Sequence, residues 1–144
     1  MLTIRAIDHV VLRVRDVDSM IRFYCDVLGA GLVARRPEFG MVHLRAGASM
    51  IDLVAVDGPL GKQGGGAPGK EGRNMDHLCL RIEPFDQAAI VAHLAKHGVV
   101  VGDIRPRFGA EGNGISIYLM DPEGNVIELK GPSDGQPRPQ SAAS

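Results

Sequence analysis

The chain of 144 residues has no tryptophan, two tyrosines and four phenylalanines. So few aromatic rings leave no stacking platform of the kind that single-stranded nucleic acid uses. The two cysteines, Cys25 and Cys79, cannot build a disulfide framework and fit a reducing, cytoplasmic compartment. Neither sign of charge prevails: 16 Lys and Arg face 17 Asp and Glu, a formal net charge of −1. No broad basic field for nucleic acid or an anionic membrane is therefore expected. No apolar run approaches the roughly 20 residues of a membrane-spanning helix, and the opening Met-Leu-Thr-Ile-Arg lacks the apolar block of a secretory leader. The Gly-x-Ser-x-Gly and His-Glu-x-x-His signatures of two hydrolase classes are missing as well. The expected partner is a small-molecule substrate. What the chain does have is 44% hydrophobic residues, enough for a globular core, and 19 glycines and nine prolines, enough to punctuate many short elements.

The chain also repeats itself. Residues 7–14 read IDHVVLRV and residues 75–82 read MDHLCLRI, so that Asp8, His9, Leu12 and Arg13 recur as Asp76, His77, Leu80 and Arg81. The second copy lies 68 residues after the first, measured from His9 to His77. A shorter echo, IDL at 51–53 and IEL at 127–129, has Glu128 lying 76 residues after Asp52, so an insertion separates the two echoes. The repeat divides the chain into two modules, 1–56 and 75–130, forming one domain over 1–130.

In the first module Val10, Leu12 and Val14 alternate with His9, Val11 and Arg13, the pattern of a strand with one apolar face. Asp16 is placed to cap a helix in which Val17, Met20, Ile21, Tyr24, Val27 and Leu28 form one apolar stripe, closed by Gly29. Strands are expected at 32–36, 41–45 and 49–56. The second module repeats this β-α-β-β-β order: a strand at 76–82, a helix with Pro84 in its first turn running to His97, and strands near 99–104, 114–120 and 125–130. Asp121-Pro122-Glu123-Gly124-Asn125 reads as a turn. The segment 105–114, RPRFGAEGNG, is rich enough in glycine to be a lid. Residues 57–74 read as a solvated Gly/Pro/Lys linker. Their approach to a phosphate loop, Gly64 to Lys70, fails because Glu71 replaces the hydroxyl residue and no apolar helix comes after it. Residues 131–144 have almost no apolar content and read as a disordered tail.

Modules of this kind can pack with approximate two-fold symmetry into a cup, an α+β architecture with helices outside. His9 and His77 then occupy equivalent wall positions. Ile51 and Leu53 suit the helix-packed face, which turns Asp52 inward, and Ile127 and Leu129 do the same for Glu128. Two imidazoles and two carboxylates suit a borderline divalent cation such as Zn, Ni, Mn, Fe or Co. Taken singly, each has a plainer reading, the histidines as hydrogen-bonded strand residues and the carboxylates as edge charges.

The segments DHVVLRV, SMIRFYCDVLG, MIDLVAV, DHLCLRI and YLMDPEGNVIELK resemble the vicinal-oxygen-chelate superfamily, over about residues 5–130. That superfamily includes glyoxalase I, methylmalonyl-CoA epimerase, extradiol dioxygenases and fosfomycin-resistance thiol transferases. The resemblance implies paired βαβββ modules around a metal cup, with His9, His77 and Glu128 as metal ligands. Asp52 stands where glyoxalase I and the epimerases carry Glu or Gln, as a fourth ligand, a water-bridged group or a general base. Ser116 and Tyr118 match positions that contact substrate in the thiol transferases. Arg13, Arg81 and Lys130 are available for an anionic substrate or as solvated strand-end charges. The implied activity is a lyase or isomerase of lactoylglutathione lyase type, in which a metal-stabilised enediolate forms and Glu128 or Asp52 moves the proton. Alternatives are an Fe(II) ring-cleaving dioxygenase and an antibiotic-resistance thiol transferase or drug-sequestering protein. Relatives that exchange modules between chains make a homodimer the expected assembly.

Overall fold

Burial divides the residues of the first strand, β1 (His9–Val14), by face: Leu12 and Val14 are buried, whereas His9 and Val11 are exposed. The same division runs through the computed structural model, which describes residues 1–135. These fall into two compact units, the first comprising Met1–Asn74 with Asp121–Gly124, the second Met75–Met120 with the chain from Asn125 onward.

In unit 1, Asp16 caps helix α1 (Val17–Arg22) by accepting from the Ser19 amide at 2.9 Å. The α-helix does not continue regularly to residue 28. Phe23–Val27 form a π-helical turn in which the Leu28 amide donates to the Phe23 carbonyl, five residues back, at 3.1 Å. The wider turn buries the consecutive Phe23 and Tyr24, whose rings meet edge to face at 5.2 Å. Strands β2 (Gly31–Arg36), β3 (Met41–Ala46) and β4 (Ser49–Ala55) then complete a sheet in the order β1-β4-β3-β2. β1 runs parallel to β4, and the other pairs are antiparallel. Val42, Leu44, Ile51 and Leu53 join Leu12 and Val14 in the core.

The segment 57–74 departs from a freely solvated linker. Residues Gly61–Gly64 form a 3-10 turn, and Arg13 donates to the carbonyls of Gly61 (2.9 Å), Gly65 (2.7 Å) and Gly66 (3.0 Å). Gly64 is required there, since a Cβ on it would lie 2.4 Å from Arg13 Nε. One guanidinium thus satisfies carbonyls that the glycine-rich chain has no regular structure to satisfy. Unit 1 also includes the turn Asp121–Gly124. The Tyr24 hydroxyl donates to Asp121 Oδ2 at 2.9 Å, and Glu123 accepts from the amides of Arg15 and Asp16 at 2.8–3.0 Å.

Unit 2 holds β5 (Leu78–Arg81), α2 (Gln87–Lys96), β6 (Ile104–Gly109), β7 (Gly112–Met120) and β8 (Val126–Lys130), with sheet order β5-β8-β7-β6. The module order is βαβββ, as in unit 1. Three expectations are corrected. Pro84 lies outside α2, because Asp86 caps it by accepting from the Ala89 amide at 3.0 Å. The strand expected at 99–104 is displaced to Ile104–Gly109, and the segment expected as a lid is the β6–β7 hairpin. The alternation on β6 is inverted: Arg107 turns inward while Phe108 is exposed, and Pro106 is tolerated because β6 is an edge strand. Residues 131–135, expected as the start of a disordered tail, hold two backbone bonds, from the Gly131 amide to Ile115 and from the Asp134 amide to Asn113. The rest of that expectation, 136–144, lies outside the described residues. Among the described residues no helix is long and apolar enough to cross a membrane.

Burial holds the Tyr24 phenol far above its ordinary value of 10.0, and the Asp121 charge and hydrogen bond add to the shift. A folded-state value raised in this way gives stability that is complete below the unfolded value and is lost as pH rises past it. Tyr24→Phe is expected to cost about 1.5–3 kcal/mol in urea unfolding at pH 7. The wild-type midpoint should fall above about pH 10 in a way that Tyr24→Phe does not.

Candidate functional site

The helix-free face of each sheet carries a buried carboxylate, and strand register puts the two in equivalent places. In unit 1, Val11 pairs across with Asp52, and Asp52 with His43. In unit 2, Cys79 pairs with Glu128, and Glu128 with Tyr118. Asp52 and Glu128 are 5% and 4% exposed, so each has been taken out of water and needs a compensating positive charge or donor.

Neither receives a full set. His43 Nδ1 stands 2.8 Å from Asp52 Oδ1, but not in hydrogen-bonding alignment, and that oxygen has no other donor. Glu128 Oε2 is 3.3 Å from His77 Nε2, while Glu128 Oε1 has no donor at all. Beside the carboxylates stand His9 and His77, each oriented by the aspartate that precedes it. His9 Nδ1 is 2.6 Å from Asp8 Oδ1, and His77 Nδ1 is 2.5 Å from Asp76 Oδ1. A carboxylate accepting from Nδ1–H leaves Nε2 as the free acceptor, the way metal-ligating histidines are held. The bond to Asp8 raises His9 above its usual 6.5; partial desolvation opposes it and the Asp52 charge reinforces it.

Unit 2 places further groups on the same face. Tyr118 packs its ring 5.6 Å from that of His77, and the Arg107 guanidinium lies 3.9 Å over the Tyr118 ring. Ser116 is fully buried and its hydroxyl accepts from Arg107 at 2.8 Å. Cys79 presents surface to solvent, yet surrounding protein atoms desolvate its thiol, and the nearby Glu128 charge and the thiol's hydrogen bond to Glu128 disfavour the thiolate, which together push it up to about 11 although Lys130 pulls the other way. It is no ready nucleophile at neutral pH.

Of the residues proposed from sequence, the structure brings together His77 with Glu128 and Tyr118, and it sets Asp52 against His43. Arg13 is engaged with the 57–74 carbonyls. Arg81 pairs with Glu111 and donates to the Ile82 carbonyl. Two contributions were not anticipated. The orienting role of Asp8 and Asp76 was signalled by the Asp-His dipeptide standing in both copies. Arg107 had no comparable signal, because β6 reads as glycine-rich loop. The donor set fits a borderline divalent ion: imidazoles with a free Nε2, and buried carboxylate oxygens lacking donors. Among the described residues, no three His, Cys, Asp or Glu are gathered into a group that could hold a metal.

Paired βαβββ modules with a histidine at the start of the first strand or just before it, and a buried acid on the last, define a glyoxalase-like α+β protein. The chain belongs to the Glyoxalase/Bleomycin resistance protein/Dioxygenase superfamily, whose family model matches residues 6–129. It is 33% identical to the "Virulence protein STM3117" of Salmonella typhimurium over 124 residues, 85% of this chain and 81% of that protein. The crystal structure of that protein superposes with a TM-score of 0.76, covering 92% of this chain and 100% of the other at 28% identity. The chain is also 33% identical to "Glyoxalase domain-containing protein RDO1" of Mycosarcoma maydis over 94% of this chain and 73% of that one. A "Probable lactoylglutathione lyase" of Synechocystis is 27% identical over 84% of this chain and 91% of its own length.

A buried carboxylate short of donors destabilises the fold until a cation joins it. In chelator-treated protein, Glu128→Gln is therefore expected to raise stability by about 1–3 kcal/mol in urea unfolding. In protein loaded with a divalent metal the sign should reverse.

Proposed function

We propose that the protein is a divalent-metal-dependent lyase or isomerase of glyoxalase type, acting on a small substrate with two neighbouring oxygens. His9, His77 and Glu128 hold the metal, and Asp52 serves as fourth ligand or general base. The reading is carried by Glu128, a buried carboxylate with one oxygen beside His77 and the other without a donor. The kinship with a relative named as a probable lactoylglutathione lyase supports it. The bound metal would supply Lewis-acid stabilisation of negative charge developing on the substrate oxygens.

The chain's own residues do the rest. Asp8 and Asp76 fix the ring orientation of His9 and His77, which keeps each Nε2 directed away from the dipeptide. Glu128 and Asp52 are the carboxylates able to accept a proton from carbon and return it to the neighbouring one. Tyr118 and Ser116 lie on the sheet face of Glu128; Tyr118 would border the substrate, and the buried Ser116 would hold Arg107 over the Tyr118 ring. The ligands would be supplied by residues of both modules, within a chain or between the chains of a homodimer.

Elemental analysis of protein purified without chelator is the direct test. About one divalent ion per pair of units is expected. His9→Ala and His77→Ala should each abolish it, and Asp76→Asn should weaken metal affinity by about 10–100-fold. With the hemithioacetal of methylglyoxal and added Ni, Zn or Mn, Glu128→Gln should lower kcat by about 10²–10⁴-fold. Absence of both metal uptake and turnover overturns the proposal. Oxygen uptake with a catechol on iron-loaded protein would assign a dioxygenase instead.

A further inference from the structure

Unit 2 holds a second buried charge that the metal reading leaves unexplained. Lys130 is only 5% exposed and its Nζ has no hydrogen-bond acceptor. It stands two residues after Glu128 on β8 and pairs across with Ser116 of β7. The side chain runs over a floor of two glycines. A Cβ on Gly114 would lie 2.8 Å from Nζ, and one on Gly109 would lie 2.8 Å from Cε. Glycine at both positions leaves the path for the lysine clear.

The surrounding charges do not neutralise it. Glu128, its nearest acid along the strand, keeps an oxygen without a donor, so the two groups do not satisfy each other. Arg107 and Arg81, the other cations on this face, are both committed: Arg107 has Nη2 on Asp103 at 2.6 Å and Nη1 on Ser116 Oγ at 2.8 Å, and Arg81, which pairs across with Lys130, is held by Glu111 and the Ile82 carbonyl. Asp103 also accepts Arg105 at 2.9 Å. An ammonium held out of water without an acceptor is costly unless an anion completes the site.

We infer that the Lys130 ammonium, on its glycine floor beside Glu128, is the seat of a carboxylate group carried by the substrate. One unneutralised positive charge matches one negative charge. A phosphate dianion would call for the guanidinium fork as well, and Arg107 is already committed to Asp103 and Ser116. That the anion belongs to the substrate rests on the proposed enzyme function. The seat itself needs no metal.

The test uses metal-stripped protein, so that it is independent of metal uptake and turnover. The four lysines are Lys62, Lys70, Lys96 and Lys130, and the first three are exposed and serve as internal controls. Their side-chain NMR signals are followed during titration with sodium acetate and, separately, inorganic phosphate, with Lys130→Met used for assignment. Lys130 is expected to shift saturably with acetate while the controls do not, and to respond to phosphate at least several-fold more weakly. Lys130→Met should weaken acetate binding at least tenfold, with part of it restored in Lys130→Arg. A Lys130 signal that moves no more than the controls, or phosphate binding tighter than acetate, overturns the inference. Failure to find metal or turnover leaves this result standing.

Discussion

A carboxylate on the helix-free face of a sheet, deprived of water, dictates much of what surrounds it. The sheet order β1-β4-β3-β2 in unit 1, matched by β5-β8-β7-β6 in unit 2, places the last strand of each module between the first and the third. That interior position is why Asp52 and Glu128 are buried although their side chains leave the apolar core. The opposite face of the same strands carries Ile51, Leu53, Ile127 and Leu129, all of them buried. Apolar burial on one face thus anchors the strand, and the energy it supplies tolerates an unsatisfied acid on the other.

The basic side chains near these acids fall into two groups. Some are occupied with holding the structure: Arg13 with the carbonyls of residues 61–66, Arg81 with Glu111, and Arg107 with Asp103 and Ser116. Others stand where chemistry can use them. His9 and His77 are fixed through Nδ1 by their own aspartates, and Lys130 meets no acceptor. Donor geometry explains the division. A guanidinium has five donors in a rigid fork and is readily consumed by carbonyls and carboxylates, whereas an imidazole tied at one nitrogen keeps the other.

The repeat was legible because each module uses the same strand-and-turn grammar, and the Asp-His dipeptide marks the same place in both. The shift from a 68-residue to a 76-residue offset is resolved by register, with Val11 opposite Asp52 and Cys79 opposite Glu128. Less legible were the features set by contacts rather than by pattern. The π-helical turn at Phe23–Val27 interrupts the regular helical period that the apolar stripe implies, and it carries two consecutive buried rings. β6 is hidden in the sequence because its inward residue is Arg107 and its outward one is Phe108, the reverse of an ordinary strand. The anchoring of residues 61–66 depends on an arginine some fifty residues away, which no local signal discloses.

Duplication explains the shared frame but not the chemistry, for the two acids have diverged. Asp52 is one methylene shorter than Glu128, and its cross-strand neighbour is His43, 2.8 Å away. Glu128 reaches further, and its cross-strand neighbour is Tyr118, which cannot supply a cation. Each acid has an imidazole in contact, His43 for Asp52 and His77 for Glu128, and each keeps an oxygen without a donor, but only unit 2 adds an unneutralised lysine two residues on. Divergence around a common strand register thus gives the two modules different polar surroundings without altering the fold.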